Sequence, residues 1–152
     1  MQSNPSNSSV QLQAEVEMLQ EIGKKIDCVL TKEPIQVDNH MPLEVDGVSK
    51  SEYILCEAYA HIGKLKGAQH QKVITDAMKM LYAERLLGGK WRKILLFADD
   101  TTAKSFESGT WYAEAIKEFE IEIRIVTLKD ETRYKILEAQ KRQVMQNIGG
   151  NA

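Results

Sequence analysis

A chain of 152 residues has the length of one ordinary globular domain, and 43% of its residues are apolar while 28% are charged. This balance excludes a disordered chain, and the formal net charge of -2 excludes a protein that attracts nucleic acid over its whole surface. Any polyanion must therefore meet a local basic patch. The chain shows neither an apolar run of about 20 residues nor a signal-peptide pattern, so we expect a cytoplasmic protein without a membrane span.

The predicted elements begin with a polar tail and one long helix. Residues 1–9 are rich in Ser and Asn, and we expect them to be disordered. Apolar residues then recur at three- and four-residue steps, which predicts an amphipathic helix over residues 10–30 with Ser8 or Ser9 as its cap. Its predicted buried stripe consists of Leu12, Val16, Leu19, Ile22, Ile26 and Leu30.

Three short strands are predicted next. The first covers residues 34–39, and the second, over 43–48, alternates apolar and acidic side chains. The third covers 53–62 and is mostly apolar. Residues 49–52 form the turn that joins the second and third strands into an antiparallel hairpin.

Helices and strands alternate in the second half of the chain. The predicted elements are a helix over 68–87, a strand over 94–98, a helix over 99–119, a strand over 121–128 and a helix over 130–147. This order predicts one α/β domain over residues 10–148, with helices on both faces of a mixed sheet. Residues 149–152 are predicted to be a disordered end.

The hairpin carries the main functional signal. If its turn is centred between Ser51 and Glu52, Asp46 lies directly opposite Glu57 on one face of the sheet. Two carboxylates placed this way repel each other unless a cation or a proton lies between them. Hard divalent cations such as Mg²⁺ bind one or two carboxylates together with water and phosphate oxygens. The pair therefore predicts a metal site, although acidic residues on a solvated strand face are also common.

The segments VDGV (45–48) and CEAYA (56–60) resemble the motif of the PD-(D/E)XK, or restriction-endonuclease-like, nuclease superfamily. In that family an Asp in a hairpin precedes Asp/Glu-x-Lys on the next strand, within an α-β-β-β-α-β core. The resemblance implies such a core with a C-terminal α-β-α extension. It also implies that Asp46 and Glu57 bind Mg²⁺ or Mn²⁺, and that the chain cleaves the phosphodiester backbone of a nucleic acid.

The chain departs from the family at two positions: Val45 stands where the family has Pro, which matters little, and Tyr59 stands where the family has its lysine. A tyrosine supplies no positive charge at neutral pH. In one interpretation Lys72, at the start of the second predicted helix, takes the role of that lysine, with Gln69 beside it. In the alternative, the chain is a catalytically inactive module of the same fold with a binding or assembly role, for example as a homodimer.

Three further groups of residues are weaker candidates. A local basic cluster beside a helix N-terminus predicts a phosphate site and consists of Lys64, Lys66, His70 and Lys72. Additional metal ligands could come from His61, Glu15 or Glu21. Asp99 and Asp100 follow a buried strand, as in receiver-like proteins that bind Mg²⁺, but helix capping explains them too.

Overall fold

The computed structural model describes residues 6–149 and confirms a mixed α/β architecture. A single five-stranded sheet is covered by helices on both faces. In chain order the elements are α1 (Asn7–Ile26), β1 (Thr31–Ile35), β2 (Leu43–Ser49), β3 (Ile54–Tyr59), α2 (Gly67–Leu87), β4 (Arg92–Phe97), α3 (Asp100–Glu107), α4 (Trp111–Glu118), β5 (Ile121–Ile125) and α5 (Asp130–Gly149). No helix within this part of the chain is long and apolar enough to cross a bilayer.

The strands lie side by side in chain order, from β1 to β5. β1, β2 and β3 pair antiparallel, because short connections return the chain directly. β3, β4 and β5 pair parallel, because α2 and then α3 and α4 carry the chain back across the sheet. The sheet is therefore antiparallel on one side and parallel on the other, and β3 lies where the two patterns meet.

Alternating side chains of the central strands separate two apolar layers. Ile54, Cys56 and Ala58 of β3 belong to the layer that α1 and α5 cover. Leu55 and Tyr59 belong to the opposite layer, which α2, α3 and α4 cover. β4 is buried on both faces, as expected for a central parallel strand. Glu57 occupies a position between Leu55 and Tyr59, so its side chain belongs to the layer beneath α2.

The first helix starts earlier than predicted and buries a different face. The Ser6 hydroxyl accepts a hydrogen bond from the Ser9 amide, so residues 7–9 are helical and do not belong to a disordered tail. Leu12 and Val16 were expected in the core but are 53% and 49% exposed. Val10, Ala14 and Met18 are buried in their place, while the predicted Ile22 is buried and Leu19, Ile26 and Leu30 pack against the core as expected. Residues 1–5 lie outside the described part of the chain.

The predicted helix over 99–119 is wrong, because two helices replace it. Gly109 adopts a positive φ of 85°, a conformation that glycine tolerates without a Cβ clash. Thr110 then caps α4 by accepting a hydrogen bond from the Ala113 amide through its side chain. The segment over residues 108–110 therefore ends α3 and begins α4, so that the chain changes direction before β5.

Smaller differences concern the ends of strands. β1 covers Thr31–Ile35 and not the predicted residues 34–39, while the predicted strand over 53–62 ends at Tyr59. β5 ends at Ile125, three residues before the predicted end. The last helix continues to Gly149, which we expected in the disordered end, and residues 150–152 lie outside the described chain.

Candidate active site

The hairpin of β2 and β3 has the register predicted from the sequence. Gly47 pairs with Cys56 and Val48 pairs with Leu55, so the paired ladder stops one residue short of Asp46 and Glu57. The regular ladder ends at this point, because the Asp46 carboxylate accepts a hydrogen bond of 3.0 Å from the Ala58 amide. The pairing of β1 with β2 is also irregular here. Irregular pairing of this kind changes the direction of a side chain. Here it places the Asp46 carboxylate against the backbone of β3 at Ala58.

Glu57 is one of the most deeply buried polar residues of the chain, with only 1% of its surface exposed. Burial, and after it the nearby Asp46 carboxylate, raise the pKa of Glu57 to about 9. A hydrogen bond with Asp46 contributes in the same direction. The two carboxyl groups therefore lie close enough to repel each other, and a proton or a cation between them relieves that repulsion.

Lys79 of α2 supplies a positive charge to this pair. Its Nζ lies 2.9 Å from Glu57 Oε1 and 3.4 Å from Asp76 Oδ1. Burial alone would lower the pKa of Lys79, but the carboxylates of Glu57 and Asp76 outweigh it and raise that pKa. The ammonium group therefore stays charged inside the layer between α2 and the sheet.

Asp76 of α2 connects the lysines with the strand. Its carboxylate accepts a hydrogen bond of 2.9 Å from the Tyr59 hydroxyl and one of 3.1 Å from Lys72 Nζ. The Tyr59 ring stacks on Phe97 with the ring centroids 5.2 Å apart. Lys72 Nζ lies 5.7 Å from the centroid of the Tyr59 ring. Lys72 is thus held above the residue that replaces the family's lysine, and it is not in contact with Glu57, which pairs with Lys79.

A third carboxylate approaches from α1. Burial, and after it the charge of Asp46, raise the pKa of Glu15 to about 7, while Lys72 opposes this shift. Glu15 is therefore the helix glutamate that lies near the pair. Glu21, the other candidate, forms a surface ion pair with Lys24 at 3.2 Å.

A cleft of about 110 Å³ opens beside these residues, where α1, α2 and α5 meet the end of β3. Its lining includes Glu15, Tyr59, Gln69 and Lys72. Lys72 is 63% exposed at its side chain, so its charge reaches a molecule in the cleft. Neither Asp46 nor Glu57 lines this cleft; Asp46 lines a neighbouring groove along α1, and Glu15 lines both.

Carboxylate oxygens are the ligands that a hard divalent cation prefers. Among residues 6–149 no three His, Cys, Asp or Glu side chains are arranged to hold a metal ion together. A magnesium ion does not require three, because water and phosphate oxygens commonly complete its coordination around one or two carboxylates. His61 lies elsewhere, with Nε2 3.1 Å from the Lys64 carbonyl oxygen. Asp46 and Glu57 are therefore the residues that could hold the ion.

The two aspartates after β4 have a structural role. The Asp99 carboxylate accepts a hydrogen bond of 2.9 Å from the Gly63 amide. The Thr102 hydroxyl donates to the Gly63 carbonyl oxygen at 2.6 Å. Asp99 and Thr102 thus fasten the loop between β3 and α2, and Asp100 opens α3. This arrangement favours neither helix capping by the Asp99 side chain nor a receiver-like site.

Sequence reasoning missed two residues of this site, Asp76 and Lys79. A signal was present, because Lys72, Asp76 and Lys79 are spaced by four and three residues and therefore share one helix face. The neighbours on that face are the buried Val73, Ala77 and Met80. Charged residues inside a buried stripe indicate a paired network, since an unpaired charge there is costly.

Comparison of the chain with protein-family models, with curated proteins and with solved structures finds no match. The chemistry of the carboxylates and lysines around β3 is therefore the basis on which a function can be inferred. Its main components are the opposed Asp46 and Glu57, the buried Lys79, and Lys72 at the cleft.

Proposed function

We propose that the chain is a Mg²⁺-dependent phosphodiester hydrolase of the nuclease type. The observation that carries this proposal is the Asp46 carboxylate, bonded to the Ala58 amide and so held next to the buried Glu57, with Lys72 and Glu15 lining a cleft nearby. Like charges so close together are unfavourable, and proteins keep such pairs mainly where they hold a cation or a shared proton. Mn²⁺ is expected to replace Mg²⁺, since both ions prefer oxygen ligands.

The arrangement of the elements supports the resemblance to the PD-(D/E)XK superfamily. The order α1, β1, β2, β3, α2, β4 agrees with the α-β-β-β-α-β core that the resemblance implies. α3, β5 and α5, together with α4, agree with a C-terminal extension. In both motif segments the acidic residue lies on the strand where that family has it, at the irregular end of the hairpin.

Each side chain has a role that follows from its position. Asp46 and Glu57 would hold the metal ion, which when bound neutralises phosphate charge and makes water a better nucleophile. Lys72 would stabilise the negative charge that develops on the phosphate in the cleft. Asp76 and Tyr59 hold Lys72 in place, and Lys79 offsets the charge of Glu57 from the buried side. Glu15, whose pKa is about 7, can accept or release a proton near neutral pH.

Titration calorimetry with Mg²⁺ and Mn²⁺ tests the metal site. We expect the wild type to bind one of these ions and Asp46→Ala to lose that binding, because one of only two protein ligands is removed. Glu44→Ala is the matched control, since Glu44 is an exposed acidic residue of the same strand. A wild type that binds neither ion would refute the proposal, as would equal losses in the two variants.

The alternative function, a catalytically inactive binding or assembly module, has its own supporting observation. Tyr59 is buried and bonded to Asp76, and Lys79 already neutralises Glu57 without any metal ion. This module predicts a folded wild type that cleaves no DNA or RNA in the presence of Mn²⁺. Cleavage that Asp46→Ala abolishes would exclude it, and sedimentation analysis would show whether the chain forms a homodimer.

A further inference from the structure

A second groove adjoins the cleft, where the loop over residues 63–67 approaches α3 and the start of α4. Its lining includes Lys64, His70, Lys104, Ser105 and Thr110. The side chain of Leu65 lines both this groove and the cleft that contains Lys72. The groove and the cleft are therefore neighbouring parts of one surface.

The lysines around this groove differ from most others in their pairing. Ten lysines of the described chain form an ion pair with a carboxylate, which leaves their charge locally compensated. Within residues 6–149 no ion pair is found for Lys64, Lys66 or Lys104, and all three side chains are exposed. Uncompensated lysines grouped along one groove attract a polyanion, even though the whole chain is slightly acidic.

The walls of the groove are held in place by contacts within the protein. The His70 ring packs on Phe106 at 5.1 Å between centroids, and its Nδ1 lies 3.3 Å from the Tyr112 hydroxyl. The bonds from Gly63 to Asp99 and from Thr102 to Gly63 fix the loop that carries Lys64. A groove that is already formed loses little conformational entropy when it binds a ligand.

We infer that this groove binds the phosphodiester backbone of a nucleic acid strand, one or more nucleotides away from the bond at Asp46 and Glu57. Lys64 and Lys104 contact phosphates. Lys66, on the adjoining loop, adds to the positive electrostatic potential near the groove. The inference rests on the proposed function for the position of the cleaved bond, but binding at the groove needs neither a metal ion nor cleavage. Positioning a strand by its phosphates carries no base specificity.

Fluorescence anisotropy with labelled single-stranded DNA and RNA, in EDTA and over a range of salt concentrations, tests the groove. We expect Lys64→Gln/Lys104→Gln to raise the Kd roughly tenfold or more at about 0.1 M salt. The slope of log Kd against the logarithm of salt concentration should be smaller for this variant by about 1.4. Each lost phosphate contact reduces that slope by about 0.7 for a single strand, and two contacts are lost. Comparison of the DNA and RNA series identifies the preferred polymer.

Lys24→Gln/Lys25→Gln is the matched control. It removes the same number of charges from exposed lysines in the last turn of α1, of which Lys24 is paired with Glu21, whereas the cleft is lined by Gln11 and Glu15 nearer the start of that helix. We expect its Kd to stay within about twofold of the wild type at the same salt concentration. Circular dichroism confirms that both variants are folded, which is expected because all four side chains are exposed.

Two results would overturn the groove as a binding site. One is equal weakening in the two double variants, which would mean that net charge alone governs binding. The other is a wild type that binds neither polymer at low salt. Loss of the metal site has a different signature, because it is measured as lost divalent binding and not as a changed salt dependence of strand binding in EDTA. A wild type that binds strands through the groove but binds no divalent ion would refute the hydrolase and leave the groove standing.

Discussion

Glu57 shows how one buried charge organises its surroundings. The side chain lies between Leu55 and Tyr59 on the strand, in an apolar layer where an isolated carboxylate would be very unfavourable. The ion pair with Lys79 and the hydrogen bond with Asp46 reduce the free-energy cost of burying Glu57. Asp76 then balances Lys72 and Lys79, so five ionisable groups and one tyrosine form a single connected network. Removal of one partner therefore affects the others.

Lys79→Met should lower the free energy of unfolding by about 2–4 kcal/mol, because it leaves Glu57 and Asp76 buried without their shared cation. Lys72→Met is the matched control on the same helix. It breaks an ion pair whose lysine is mostly exposed, so its cost should be about 0.5 kcal/mol or less. Urea denaturation of both variants measures the difference. Equal costs would show that Lys79 does not act as the buried counter-ion.

The same network predicts how stability depends on pH. The pKa of Glu57 is about 9 in the folded chain and 4.5 in the unfolded chain. Between these pH values the folded protein binds more protons than the unfolded one, so the free energy of unfolding falls as pH rises. Glu15 acts in the same direction between 4.5 and about 7. One such group contributes at most about 1.4 kcal/mol per pH unit.

Glu57→Gln removes the larger of these two effects. Urea denaturation between pH 5 and 9 should therefore give a shallower decline for this variant than for the wild type, with the difference extending above pH 7, where Glu15 no longer contributes. Parallel profiles for the two proteins would contradict the assignment of the raised pKa to Glu57.

At the level of elements, the close approach of α1 to the hairpin decides where Asp46 lies. Gly47 follows Asp46 on β2, and a Cβ added there would lie 2.7 Å from Leu19 Cδ2 and 3.1 Å from Leu30 Cβ. Only a glycine lets the helix and the chain after it pack this closely on the strand. Gly47 therefore affects the site as well as the packing of the core, because it sets the distance between α1 and the carboxylates.

Gly47→Ala should lower the free energy of unfolding by about 1–3 kcal/mol, because Leu19 and the chain at Leu30 must shift to admit a methyl group. It should also weaken divalent binding, since Asp46 moves with the strand. Gly67→Ala in the first turn of α2 is the control, because an added Cβ there has no neighbour within 4 Å. Thermal unfolding and calorimetry measure both effects, and a variant as stable as the wild type would disprove the tight contact.

At the level of the whole molecule, the sheet brings the functional features to one end. β3 ends at Tyr59, and the cleft, the basic loop and the start of α2 all lie beyond that end. The formal charge of -2 does not oppose a nucleic acid partner, because most lysines are paired while those at the groove are not. In the proposed function, this surface holds a strand by its phosphates.

Some parts of this picture could be predicted from local patterns because local forces decide them. The alternation of side chains and the length of the turn determine the register of β2 and β3, so the pairing of Gly47 with Cys56, next to Asp46 and Glu57, was predictable. The buried face of α1 was not, since Leu12 and Val16 form as good a stripe as Val10 and Ala14. The choice depended on α5, which packs against the small Ala14 side of the helix.

The sequence by itself determined an α/β chain with a hairpin that opposes two carboxylates, because strand period and turn length act over a few neighbouring residues. Only the tertiary structure decided that Lys79 contacts Glu57, that Lys72 lies over Tyr59 at the cleft, and that Glu15 is the nearby helix glutamate. These contacts join residues far apart in the chain. They depend on the direction in which α1 and α2 cross the sheet, and packing of the whole core decides that direction.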